Sequence, residues 1–238
     1  KDAGHGPVDL HNSLAKSCDV YYYTLGAKMG LDPIADMGRK LGFGSKTGID
    51  LAGESRGIMP DADWYRKREY YTLGAAVNVS IGQGAVSATP LQLAVAYGAI
   101  ANGGKVLKPQ IALRIESYDG RSAREVPPEV VRELDVNPEP LAAVREGLRQ
   151  VTQEPHGTAY RKRSKLVTLA GKTGTAQVVK LAKDRRRSRD VEWKYKDHAW
   201  FAAFAPAEAP EIVVVVLVEH GGGGSKAAAP IAVRVIDH

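Results

Sequence analysis

Cysteine is almost missing from this sequence. Cys18 is the only one among 238 residues, so no internal disulfide can form, and a single thiol does not decide the redox compartment. No run of about 18 apolar residues occurs, so no stretch of this sequence reads as a membrane-spanning helix. The longest apolar stretch, residues 212–218 (IVVVVLV), has the length and β-branching of a strand. A basic-then-apolar leader is lacking at the start. The sequence opens on Lys1 without a Met, as expected of a piece of a longer chain. There is no internal repeat, no zinc-finger spacing, and no interleaving of aromatic with basic residues. Nucleic acid is therefore not an expected partner, although the formal net charge is +6. Much of that charge falls in residues 180–196, around Arg185, Arg186 and Arg187, a stretch that reads as a solvated loop.

What is present suits a folded domain. Hydrophobic residues make up 44% and charged residues 25%, enough to bury a sizeable core in one large domain or two small ones. Leu10, Leu14 and Cys18 recur every four residues, one face of a helix that Asp9 can cap. A helical pattern continues over residues 20–31, and another opens at Asp32-Pro33 and closes at Gly42. Residues 42–71 read as long ordered loop with short strands. Thr89-Pro90-Leu91-Gln92 opens a helix through a capping box and ends at Gly103-Gly104. Residues 110–117 alternate as a strand does. Residues 125–140 carry several prolines and many charges and read as an exposed excursion. Residues 141–151 are helical in pattern and residues 167–179 strand-like. Residues 198–204 and 212–218 read as a hairpin, and residues 227–237 as a closing helix. The expected class is α+β with an antiparallel sheet flanked by helices. The expected division is a mainly helical part over residues 1–104 and a sheet part over residues 105–238.

Three short motifs carry chemistry. Ser13 and Lys16 spell S-x-x-K, the tetrad that activates a serine nucleophile in penicillin-reactive enzymes. Ser17-Cys18-Asp19 comes close to the S-x-N motif of the same enzymes, and overlaps the first. Lys172-Thr173-Gly174-Thr175 follows an apolar strand start. There a lysine supplies fixed positive charge, two threonines can hydrogen-bond a carboxylate, and Gly174 admits close backbone approach. A second K-T-G, Lys46-Thr47-Gly48, lies in a glycine-rich loop with no apolar strand before it and reads as a plain turn. On a helical wheel with Leu10 at zero, Leu14, Ser17 and Cys18 fall within about 80° and Lys16 about 120° away, toward solvent. A solvent-facing lysine keeps its proton and is a poor base near neutral pH.

Longer strings place these motifs together. GHGPVDLHNSLAKSCDVYYYTLG, KTGIDLAGESRG, SIGQG followed by TPLQLAVAYGAIANGG, AGKTGTAQ, DHAWFAAFAP and VEHGGGG occur in that order. Their order resembles a class B penicillin-binding protein, of the elongation-type subfamily known as penicillin-binding protein 2. The resemblance runs from Gly4 to the last helix. It implies the transpeptidase and serine β-lactamase-like fold with a helical subdomain, here lacking its N-terminal part. In that family the nucleophilic S-x-x-K stands well upstream of the second motif, on a different helix. The resemblance therefore implies that Ser13 and Lys16 are ordinary helix, and that the nucleophile and its lysine are not in this chain.

By the same resemblance, Ser17 and Asp19 form the second motif, with Ser17 relaying a proton and Asp19 orienting substrate. Lys172 supplies positive potential. Thr173, Gly174 and Thr175 hold the carboxylate of a stem-peptide D-Ala-D-Ala or of a β-lactam, and the Thr175 N–H is one oxyanion-hole donor. The implied reaction is acyl transfer through an acyl-serine that cross-links peptidoglycan. The chain taken alone is expected to be inactive. The family is anchored in the inner membrane with its catalytic domain on the periplasmic face, and works with an elongation-complex glycosyltransferase. No cofactor is required. Some relatives bind zinc near this motif, and His5 and Cys18 match two of its ligands; the upstream ligands are absent, and Asp2 stands out of register. Two donors do not complete a zinc site, so a buried cysteine and a loop histidine remain the alternative. Two other classes stay open: a serine β-lactamase or β-lactam sensor, and a catalytically dead scaffold or binding module.

Overall fold

The computed structural model describes residues 4–68, 71–178 and 192–238. The basic run around Arg185 to Arg187 therefore lies outside the described residues. The chain is α+β. Its helices are α1 (Leu10–Ala15), α2 (Asp19–Met29), α3 (Asp32–Lys40), α4 (Ala62–Arg66), α5 (Leu73–Val79), α6 (Pro90–Ala101), α7 (Pro138–Gln153), α8 (Gly224–Ala227) and α9 (Ala229–Ile236). Its strands are β1 (Lys105–Leu107), β2 (Arg114–Glu116), β3 (Ala123–Glu125), β4 (Val130–Glu133), β5 (Ala170–Ala176), β6 (His198–Ala205) and β7 (Ile212–Val218).

The principal sheet has the order β5-β6-β7 and is antiparallel throughout. β6, at its centre, is apolar on both faces because both are covered. Ala199, Phe201 and Ala203 point into a core shared with Val214 and with Ala228, Ala229 and Ala232 of the closing helices. Phe204, on the opposite face, packs with Ala101 of α6 and Leu148 of α7. The closing helix expected over residues 227–237 is α9, preceded by the short α8, and Ala228 caps the end of one and the start of the other. A second core cluster, Leu31, Tyr65, Ala75, Ala76 and Val79, holds the early helices together.

The expected capping box at Thr89 is present: the Thr89 hydroxyl accepts from the Gln92 N–H, and the Gln92 side chain accepts from the Thr89 N–H. Three expectations need correction. The excursion at 125–140 contains β4, which pairs with β1. The stretch 42–71 contains α4, capped by Asp61, where ordered loop with short strands was expected. Above all, one helical face does not run from Leu10 to Cys18. α1 ends at Ala15, and Ser17 adopts φ +52°. The regular helical steps therefore do not extend to Ser17 and Cys18, since a left-handed residue redirects the chain.

Candidate active site

The site begins at the turn between α1 and α2. Asp9 caps α1 by accepting the Asn12 N–H at 2.7 Å. The helix closes when the Cys18 N–H reaches back to the Ser13 carbonyl at 2.9 Å. That closure leaves Ser17 in the left-handed region, which costs a non-glycine residue about 1–2 kcal/mol. The turn aims the Ser17 hydroxyl at the principal sheet. Asp19 then starts α2, where a carboxylate is favoured by the exposed N–H groups of the first turn.

β5 supplies the facing wall. Its register sets Lys172 opposite Ala202 and Gly174 opposite Trp200. Lys172 Nζ donates to Ser17 Oγ at 2.8 Å and to the Thr173 carbonyl at 3.0 Å. Burial pushes the Lys172 pKa down from 10.5 to about 8, and the negative charge of Asp19 partly opposes that fall. At neutral pH the ammonium still holds its proton by roughly ten to one, but it is close to titration. Thr173 and Thr175 share one face by strand alternation. Thr173 Oγ1 is engaged by Thr158 Oγ1 at 3.0 Å, whereas Thr175 is exposed. A Cβ on Gly174 would lie 3.1 Å from Trp200 Cβ. The absence of a side chain there thus also serves the packing of β5 on β6.

Ser17, Asp19, Lys172, Thr173, Gly174 and Thr175 all line one cleft of about 570 Å³. Ser17 and Lys172, 155 positions apart in the sequence, are thereby brought to one place. The cleft also takes in Tyr22, Tyr23, Ser80, Gln83 and Asp197. Gln83 lies inside the SIGQG string but was not among the expected site residues. Its Nε2 donates to the Thr175 carbonyl at 2.9 Å and ties the turn to the end of β5. The signal was there in Gly82 and Gly84, which both take positive φ (74° and 77°) and hold the glutamine out between them. Chemically, the arrangement offers a buried cation that can shuttle a proton through a serine hydroxyl, beside a rim of hydroxyls that can receive a carboxylate.

The competing motif matches fall elsewhere. Ser13 is fully buried, its hydroxyl donating to the Leu10 carbonyl at 2.7 Å and lying 3.1 Å from the Tyr22 hydroxyl. Lys16 is half-buried at the C-cap of α1. The second K-T-G is a turn organised by Glu54, whose carboxylate accepts from the Thr47 N–H at 2.7 Å, the Thr47 hydroxyl at 2.6 Å and the Gly48 N–H at 3.2 Å. His5 and Cys18 line a common neighbouring cleft. Among the described residues no group of three or more His, Cys, Asp or Glu could hold a metal, and Asp2 lies outside them. Two donors do not fit the four-coordinate site zinc requires.

Comparison with known proteins gives a consistent set of relatives. The family described as penicillin binding protein transpeptidase domain matches residues 1–237. The peptidoglycan D,D-transpeptidase MrdA of Acinetobacter baumannii is 37% identical over 90% of this chain and 32% of its own length. MrdA of Haemophilus influenzae is 35% identical over all of this chain and 37% of its own. Among solved structures, penicillin-binding protein PBP2 in complex with MreC from Helicobacter pylori superposes with a TM-score of 0.82 at 35% identity, covering 100% of this chain and 41% of that one. The chain thus spans a third to two fifths of the length of these relatives.

Proposed function

Because the chain belongs to the penicillin-binding protein transpeptidase family, we propose that it contributes the second and third active-site motifs of an elongation-type peptidoglycan D,D-transpeptidase. The observation that carries this reading is the 2.8 Å hydrogen bond from Lys172 Nζ to Ser17 Oγ. In this reading a serine supplied from outside these 238 residues attacks the penultimate D-Ala carbonyl of a stem peptide. The terminal D-Ala leaves as an amine, taking up the proton that the serine releases, with Ser17 as the relay. An amine of a second stem peptide then displaces the serine from the ester, forming the cross-link and returning a proton to the serine. Lys172, Thr173, Gly174 and Thr175 bind the substrate carboxylate, and a β-lactam enters the same way. Asp19 orients the peptide. No step calls for a cofactor.

Among the described residues no helix is long and apolar enough to cross a membrane. The membrane anchor and periplasmic catalytic face belong to this proposal through the family. So do partners: the Helicobacter pylori relative was solved with MreC, and an elongation glycosyltransferase is the expected second partner. The experiment is acylation of the intact protein by a fluorescent penicillin. Ser17→Ala is expected to slow labelling by about a hundredfold or more, the usual worth of a proton relay. Labelling at the wild-type rate would overturn the role of Ser17.

A further inference from the structure

A third cleft, of about 630 Å³, lies apart from the active site and shares none of its lining residues. Four arginines converge on it from four segments: Arg39 at the end of α3, Arg56 in the loop before α4, Arg68 just after α4, and Arg132 on β4. Phe43 and Trp64 add aromatic surface. Only Arg39 is neutralised, by Asp61 at 2.5 Å and Asp36 at 3.6 Å. Among the described residues no carboxylate pairs with Arg56, Arg68 or Arg132.

Two of these three are held in place without being neutralised. Arg132 Nη1 donates to the carbonyls of Arg39 and Lys40 at 2.9 and 2.8 Å, covering the end of α3. The Arg68 guanidinium stacks 4.4 Å over the Trp64 ring. Like charges gathered in one concave site repel one another, and a negative ligand removes that cost. Guanidinium forks match carboxylates in bidentate pairs. All four arginines are exposed, so the ligand keeps much of its own surface wet. That suits an extended segment rather than an enclosed phosphate, and the aromatic wall gives an apolar side chain somewhere to rest.

We propose that this cleft docks an acidic peptide segment of a partner protein. Its charge complementarity rests on Arg56, Arg68 and Arg132 and its apolar anchor on Trp64. The probe is a fluorescein-labelled eight-residue peptide alternating Glu with Leu, titrated into the intact protein and read by fluorescence anisotropy. Saturable binding is expected at 50 mM salt, weakening at least tenfold at 300 mM. The Arg56→Glu/Arg68→Glu double variant is expected to weaken it at least tenfold, and Arg56→Gln alone by a smaller factor. Penicillin labelling at the wild-type rate in each variant verifies the fold. Three outcomes would sink the idea: no saturable binding, equal affinity for the peptide with Gln in place of Glu, or affinity untouched in both variants. Displacement by inorganic pyrophosphate at concentrations well below those of the peptide would also overturn it, in favour of a small-anion site.

Discussion

At the scale of single residues, Lys172 and Ser17 are under opposing demands. Burial lowers the Lys172 pKa to about 8, so between about pH 8 and 10.5 the unfolded chain binds a proton that the folded chain has released. Unfolding is then linked to proton uptake, and the destabilisation from burying this charge is fully present below pH 8 and fades as pH rises toward 10.5. Replacing Lys172 with Met is therefore expected to stabilise the protein at pH 7 by about 1–3 kcal/mol, a gain that shrinks by pH 10. Urea unfolding at the two pH values measures it. The same titration governs the proposed chemistry. Penicillin acylation is expected to fall as pH rises through about 8, and Lys172→Arg, which keeps its charge, should move that limb upward; an unmoved limb would assign it to another group. Ser17 separates strain from function. Ser17→Gly relieves the positive φ and is expected to be about 1 kcal/mol more stable than Ser17→Ala, while both lose acylation equally. Calorimetry beside a labelling time course distinguishes the two effects.

At the scale of elements, two glutamines hold irregular segments against regular ones. Gln92 is fully buried. Besides closing the capping box of α6, its Nε2 donates to the carbonyls of Ser45 and Arg56 at 2.7 and 2.8 Å. Gln92→Ala strands these groups, each at about 1–3 kcal/mol, so a total loss of about 3 kcal/mol is expected in denaturant unfolding. A loss under 1 kcal/mol would mean that the loops are held by something else. The capping box was legible in the sequence because it is local, with donor and acceptor three residues apart. The loop anchors on Gln92 were not, since their partners lie 36 and 47 residues away. The same reason hid Gln83, whose acceptor is 92 residues distant. β4 was hidden differently: all of its residues are exposed, so no apolar alternation marks it. The apolar β6 and β7 stood out as strands from composition alone. The redirection at Ser17 could not be read from periodicity, because a left-handed non-glycine residue is imposed by the contacts around it. The ordered strings already group the S-x-D and K-T-G residues, and those residues line one cleft.

At the scale of the whole molecule, the sheet and the motif inventory bear on how the 238 residues behave when produced by themselves. β7 is a run of seven apolar, mostly β-branched residues, and among the described residues no strand pairs with its outer edge. An apolar edge of this kind is a template for another chain. The 238 residues alone are therefore expected to self-associate, with a light-scattering mass that rises with concentration. Ile212, 44% exposed at the start of β7, offers the control: Ile212→Lys places a charge on that edge and should reduce the association. A clean monomer across the concentration range would show that the edge is covered by other means. The same sample tests the nucleophile. Within these residues the single S-x-x-K places its serine at 0% exposure with its hydroxyl already bonded. Incubation with penicillin is thus expected to leave the mass unchanged. A stable adduct on Ser13 would require α1 to unwind and would overturn the assignment of the nucleophile to a segment outside these 238 residues.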